Sequence, residues 1–242
     1  AFICVCILAI GAILDRQDAG RRFPFAGDAG KSLSVEEARD WARSEPDDPY
    51  AQLELSLAFL KNKQFEPAYQ ALRRSLELAG DDVDFHYDAG AEMMESETWV
   101  GAAVVFTHAL GHTPPDQLDD RIIFEELFRE SIYKASVAPE LFQAVPKDEI
   151  LRQDEAMLRL AEIRQTVHHG NLEDAWRMLE DLKALKPGMQ EATLLEAEML
   201  MRDRRAPEAM PLLESLANSD LTPEWIQMQA EKYLSEMPKQ EK

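Results

Sequence analysis

Apolar residues recur three and four positions apart along residues 34–236, and Gly, Pro and Asp interrupt them at short intervals. This spacing places the apolar side chains on one face of each helix and predicts a series of short amphipathic helices. Residues 85–114 show the pattern best, because small residues fall where two antiparallel helices would cross closely. These small residues are Ala89, Gly90, Ala102, Ala103 and Ala109.

The same pattern repeats at an interval of about 34 residues, a period typical of stacked helical hairpins. Ala102 follows Ala68 by this interval, and Ala209 follows Ala175 by the same interval. The neighbouring large residues keep the register, with Leu72 matching Phe106 and Leu179 matching Leu213. One hairpin cannot bury its apolar face alone, so the register predicts stacked helical hairpins. An ordinary helical bundle would explain the periodicity but not the register.

These residues, the turn sequence GNLEDA at 170–175 and the closing prolines Pro114 and Pro187 resemble the tetratricopeptide repeat (TPR) family. The resemblance implies an all-α fold, an α-solenoid of TPR-like hairpins. We expect repeats at about 49–82, 83–114, 156–189 and 190–222, with a capping helix at 223–236 and a tail at 237–242. Residues 115–153 lack the Ala/Gly pattern of the repeats, and we therefore expect an irregular unit there.

Several helix ends are predicted from local residues. Ser34 and Glu37 form a capping-box pattern that starts a helix at 34–44. A longer helix from Asp148 is expected to enter the third repeat. Thr222 is expected to cap the last helix, with Pro223 in its first turn. Pro211 is expected to disturb its helix unless that helix begins near residue 208.

Residues 1–14 are apolar and uncharged. Fourteen residues reach only about 21 Å as a helix, and a bilayer core needs roughly 20 residues. Three interpretations are open: a single-span N-terminal membrane-anchor helix whose start lies upstream, the core of a secretory signal, or a buried helix. The anchor is favoured, followed by a linker at 15–33. An extracytoplasmic location of the repeats is slightly favoured over the cytoplasmic face.

Acidic residues outnumber basic ones 46 to 26, which gives a formal charge of −20. Such a charge disfavours nucleic acid as a partner, because phosphates would be repelled. It suits a solvated acidic surface, or a basic partner. The two cysteines, Cys4 and Cys6, both lie in the apolar stretch, so the repeats contain no disulfide framework and no cysteine-based metal site.

No catalytic constellation is apparent in the sequence. His108 and His112 share one helix face, and His168 and His169 sit at a turn, but metal sites need three or four convergent ligands. Residues 26–32 lack the first glycine of a phosphate-binding loop. We therefore expect no enzyme activity, no cofactor, no metal and no small-molecule substrate.

The resemblance also implies a binding groove lined by the first helix of each hairpin. Tyr50, Glu54 and Leu57 do not supply the family's carboxylate clamp, so binding of a chaperone's acidic tail is not expected. The face suits an extended or helical peptide. Its expected residues are Tyr50, Leu53, Leu57, Lys61, Asp84, Tyr87, Met94, Arg164, His168 and Arg202.

Two functions follow from this pattern. The first is a non-catalytic scaffold, an accessory or assembly subunit docked on a membrane-protein complex through the protein groove and residues 1–14. The alternative is a membrane-anchored chaperone or assembly factor that binds client chains transiently, in secretion, pilus or cytochrome maturation. Phe124 and Phe128, in the irregular unit, are expected to form a second partner contact.

Overall fold

A computed structural model describes residues 33–237. This part of the chain contains thirteen α-helices and no β-strand, which confirms the all-α expectation. The described residues form two compact units, 33–153 and 154–237. The predicted anchor, linker and extreme C-terminal tail fall wholly or mainly outside the described residues. No helix within 33–237 combines the length and the apolar character needed to cross a bilayer.

The unit at 33–153 has eight helices: α1 (Val35–Ser44), α2 (Pro49–Lys61), α3 (Phe65–Ala79), α4 (Val83–Glu95), α5 (Trp99–His112), α6 (Leu118–Ala135), α7 (Leu141–Ala144) and α8 (Lys147–Gln153). They form two layers. Helices α2, α4 and α6 are joined by side-chain contacts, while α5 packs against α3, α7 and α8 on the other side. The short α7 and α8 together take the place of a second helix after α6.

Short polar residues start several of these helices. The predicted capping box of α1 is confirmed: the Ser34 hydroxyl accepts from the Glu37 backbone N–H, and the Glu37 carboxylate accepts from the Ser34 N–H. Asp48 and Asp82 cap α2 and α4 in the same way, each accepting a backbone N–H of the first turn. These caps satisfy donors that a helix start leaves without intrahelical partners.

The core between the two layers depends on small residues. Ala68 and Ala102 are completely buried, as are Ala175 and Ala209 in the other unit. A Cβ atom built on Gly90 of α4 would lie 2.2 Å from Cζ of Phe106 of α5, so only glycine fits there without movement.

The unit at 154–237 has five helices: α9 (Glu155–His168), α10 (Leu172–Leu185), α11 (Gln190–Arg202), α12 (Ala206–Ala217) and α13 (Glu224–Glu236). Each packs against the next, and α11 also packs against α9 and α13. The first layer is therefore α9, α11 and α13, and the second is α10 and α12.

Three predicted helix ends are wrong. No single helix runs on from Asp148, because α8 ends at Gln153 and Asp154 caps α9 by accepting two backbone N–H groups. Thr222 does not cap α13. Pro223 holds the N-cap position, and the buried Thr222 hydroxyl accepts from the Gln190 amide instead.

The third wrong end concerns α12. This helix begins at Ala206 and continues through Pro211, rather than starting near residue 208. The side of the helix that carries Pro211 is exposed, so water can replace the backbone hydrogen bond that proline cannot donate.

Four turns between the first and second helices of a hairpin share one geometry. Each contains one residue with positive φ: Lys63 (57°), Glu97 (54°), Gly170 (87°) and Arg204 (62°). In all four, the next residue donates its N–H to the carbonyl five residues back, from Gln64 to Phe59, Thr98 to Met93, Asn171 to Thr166 and Arg205 to Leu200. This is the Schellman arrangement. Lys63 and Glu97 are separated by the repeat interval of the sequence, as are Gly170 and Arg204.

Candidate protein-binding faces

On α2, the predicted groove residues divide between the surface and the core. Tyr50 and Leu57 are half-buried and Lys61 is exposed. Leu53 is completely buried, so the expectation that it lines a groove is wrong. Its spacing of three residues from Tyr50 and four from Leu57 places it on their side of α2, but the packed neighbouring helices leave its own side chain no exposed surface.

On α4, Asp84 is exposed and Met94 is half-buried, but Tyr87 is almost wholly buried. The Tyr87 ring lies 4.5 Å from the Phe124 ring of α6, and its hydroxyl donates to Asp120 of α6 at 3.2 Å. Tyr87 therefore joins α4 to α6 and offers little surface to a partner.

A second tyrosine joins α2 to α4. The Tyr50 hydroxyl donates to Asp88 at 3.0 Å, and its ring meets the Phe85 ring edge-on at 4.9 Å. The two tyrosine–aspartate bonds connect the three first-layer helices in sequence. The Tyr87–Asp120 bond is partly buried and the Tyr50–Asp88 bond lies at the surface, and together with the ring contacts they link neighbouring helices.

The next helical turn brings two glutamates together. Glu54 is four residues after Tyr50, and Glu92 is four residues after Asp88, so the two pairs follow one another along the α2–α4 contact. Burial raises the pKa of the Glu54 carboxyl, and the negative charge of Glu92 raises it further. A cation placed at this face would lower the electrostatic cost of the ionised pair.

The exposed side of α4 is strongly acidic. Its four charged residues are all carboxylates, Asp84, Asp88, Glu92 and Glu95. The apolar residues beside them, Leu57 and Met94, are half-buried. This combination of acidic groups and apolar anchors fits a segment that carries both basic and apolar side chains.

In the unit at 154–237, a polar cluster joins the first-layer helices. Arg164 of α9 pairs with Glu198 of α11 at 3.4 Å, with both side chains mostly buried. The Tyr233 hydroxyl of α13 donates to Glu198 at 2.9 Å. Burial and the adjacent Glu198 carboxylate raise the pKa of Tyr233, so the phenol remains a donor.

This cluster changes the role of one predicted residue. Arg164 is placed on the first-layer face but is engaged by Glu198, so it serves the packing of α9 against α11. His168 and Arg202, at the ends of α9 and α11, are exposed and remain available at the surface.

The prediction that Phe124 and Phe128 of α6 form an exposed second partner contact is wrong. Phe124 and Phe128 are both buried, and the Phe124 ring contacts Tyr87 and Phe106. The exposed apolar side chains of this helix are Leu118 and Ile122. Phe124 and Phe128 face inward because α6 packs along α5, which takes up one side of the amphipathic helix.

Residues 33–237 contain no group of three or more His, Cys, Asp or Glu side chains placed to hold a metal ion. The hydrogen bonds from tyrosines to Asp88, Asp120 and Glu198, which join the first-layer helices, were not predicted from the sequence. The position of these acidic residues four residues from other polar residues is a weak signal, because it cannot identify a partner on another helix.

No family model matches the chain, and comparison with curated proteins finds no similar sequence.

Proposed function

We propose that this chain is a non-catalytic interaction protein built from TPR-like hairpins, and that the hairpins form an α-solenoid. The four turns of one geometry, spaced by the repeat interval within each pair, support this architecture. We further propose that the protein is an accessory or assembly subunit of a membrane-protein complex, tethered by residues 1–14. The apolar composition of that stretch supports the tether.

The α2–α4 face is the observation that carries the proposal. Half-buried Leu57 and Met94 lie on the two helices of this face, all four charged residues of α4 are carboxylates, and the negative charge of Glu92 acts on Glu54. A protein segment with basic and apolar side chains would complement this face on both counts.

The test compares two variants with the same change in net charge. Asp84→Asn with Glu95→Gln removes two exposed charges from α4, near its start and at its end. Glu66→Gln with Glu77→Gln does the same on the second-layer helix α3. Tagged full-length protein is extracted from native membranes in mild detergent, and the copurifying proteins are quantified against the tagged chain.

We expect one fixed set of membrane subunits to copurify with the wild-type chain at a constant ratio. The amount recovered per tagged chain should fall roughly fivefold with the α4 variant and should not change with the α3 variant. Equal recovery with both variants would exclude the α4 face as the binding site. A shifting set of unfolded chains would instead indicate the chaperone function. A version that begins at Gly27 shows whether the tether or the repeats hold the partner.

A further inference from the structure

Three histidines form a hydrogen-bonded chain between α4 and α5. Nδ1 of His86 lies 2.7 Å from the Asp82 carbonyl oxygen, and its Nε2 lies 2.9 Å from Nδ1 of His108. Nδ1 of His112 lies 2.8 Å from the His108 carbonyl oxygen. The rings of His108 and His112 stack at 3.8 Å. His86 is only 1% exposed, so water cannot replace these partners at its ring.

The partners determine where the protons lie. A carbonyl oxygen only accepts, so Nδ1 of His86 and Nδ1 of His112 must both donate. Neutral His86 then accepts at Nε2, and Nδ1 of His108 donates to it. All three imidazoles are therefore satisfied in the same neutral tautomer.

The arrangement limits how many protons the chain can take up. A proton added to Nε2 of His108 leaves every hydrogen bond in place. If His86 is protonated as well, its Nε2–H points at Nδ1–H of His108 across 2.9 Å, and the bond between them becomes a repulsion. A charge on His112 would also lie against His108, because their rings are stacked.

The surroundings act in both directions. Burial lowers the pKa of His86 and has a larger effect than the hydrogen bond to the Asp82 carbonyl and the charges of Asp81 and Asp82, which act in the opposite direction. Burial also lowers the pKa of His108, to about 3, with further contributions from His112 and His86. From α6, the Phe124 ring faces His86, and Arg121 donates to two carbonyls at the end of α5.

We propose that His86 and His108 form a proton-sensitive latch that holds α4 and α5 together when neutral and releases them on acidification. In an unfolded or opened hairpin each of these two histidines takes up a proton near pH 6.5. The closed latch binds fewer protons than the open one. Its stabilising effect is therefore complete above about pH 6.5 and is lost as the pH falls below that value toward 3.

The latch predicts a local effect that hydrogen exchange can measure. On going from pH 7.5 to 5.5, amide protection in α4 and α5 should fall about a hundredfold after correction for the intrinsic rate, which corresponds to a deficit of two protons, on His86 and His108, over one pH unit. His108→Asn keeps a donor in place of Nδ1 and removes the titration of residue 108 but not that of the buried His86, so protection in this variant should fall only about tenfold. The exposed His169→Asn is the matched control and should behave like the wild type.

An equal pH effect in wild type and His108→Asn would overturn the proposal, as would an equal loss of protection in α10 and α12. If His108→Asn does not fold, the five histidines of the wild-type chain can be titrated by NMR. The latch requires that at least two of them remain neutral at pH 5.5. Titration of all five near pH 6.5 would refute it.

Discussion

Replacing Gly90 with alanine tests whether close packing of α4 on α5 controls stability. The added Cβ atom would lie 2.2 Å from Cζ and 2.5 Å from Cε1 of Phe106. Carbon atoms in contact prefer about 3.5–4.0 Å, so the ring must withdraw by more than about 1 Å. Phe106 is buried and lies beside the Phe124 ring, which leaves it little room.

Two effects of opposite sign decide the outcome. Forcing extra volume into a packed core costs about 1–3 kcal/mol. Alanine stabilises a helix interior by about 1 kcal/mol relative to glycine. We therefore expect Gly90→Ala to lower the free energy of unfolding by about 1 kcal/mol.

Two glycines of α5 serve as controls. At Gly111 a new Cβ would meet nothing closer than the Gln153 amide at 4.0 Å, so Gly111→Ala should stabilise by about 0.5–1 kcal/mol. At Gly101 the Cβ would lie 2.6 Å from the Met93 sulfur, and a thioether can move aside more easily than a ring. The change in the free energy of unfolding for Gly101→Ala should lie between those of Gly90→Ala and Gly111→Ala.

The measurement is urea unfolding of the full chain followed by circular dichroism, with hydrogen exchange to assign the change to α4 and α5. Phe106→Leu removes the ring atoms that clash, so Gly90→Ala should become neutral or stabilising in that background. The coupling energy in this double-mutant cycle should be at least about 1 kcal/mol. Additive effects of Gly90→Ala and Phe106→Leu on the free energy of unfolding would refute the packing argument. An increase in that free energy for Gly90→Ala equal to the increase for Gly111→Ala would refute it as well.

Three further predictions concern single positions. Phe124→Ala should lower the free energy of unfolding by about 3–5 kcal/mol because the ring is completely buried. Ile122→Ala, at a side chain 46% exposed, should change it by less than about 0.5 kcal/mol. Similar urea midpoints for the two variants would show that α6 packs differently. Both Glu97 and Gly170 have positive φ, which favours glycine. Glu97→Gly should therefore raise the free energy of unfolding by about 1 kcal/mol, and Gly170→Ala should lower it by about the same amount. Melting temperatures that shift in the same direction for the two variants would contradict this. Pro211→Ala should raise the unfolding free energy by about 2 kcal/mol by restoring a helical N–H, and an unchanged or lower urea midpoint would show that the proline is not strained.

The amino-acid sequence by itself determined the helices and much of their spacing. Apolar periodicity and short capping residues act within a few positions of the chain, so α1 with its Ser34–Glu37 box and the helices α2 to α5 could be placed from local patterns. The shared left-handed turn was missed, because only Gly170 among its four residues is a glycine.

Only the tertiary structure decided which face of each helix is available. Leu53, Phe124 and Phe128 resemble surface anchors in a linear pattern, but neighbouring helices bury them. The same holds for the polar contacts, since Tyr50 meets Asp88 across 38 positions and His86 meets His108 across 22. Burial and pairing depend on distant segments that packing brings together, and periodicity within one helix carries no information about its neighbours.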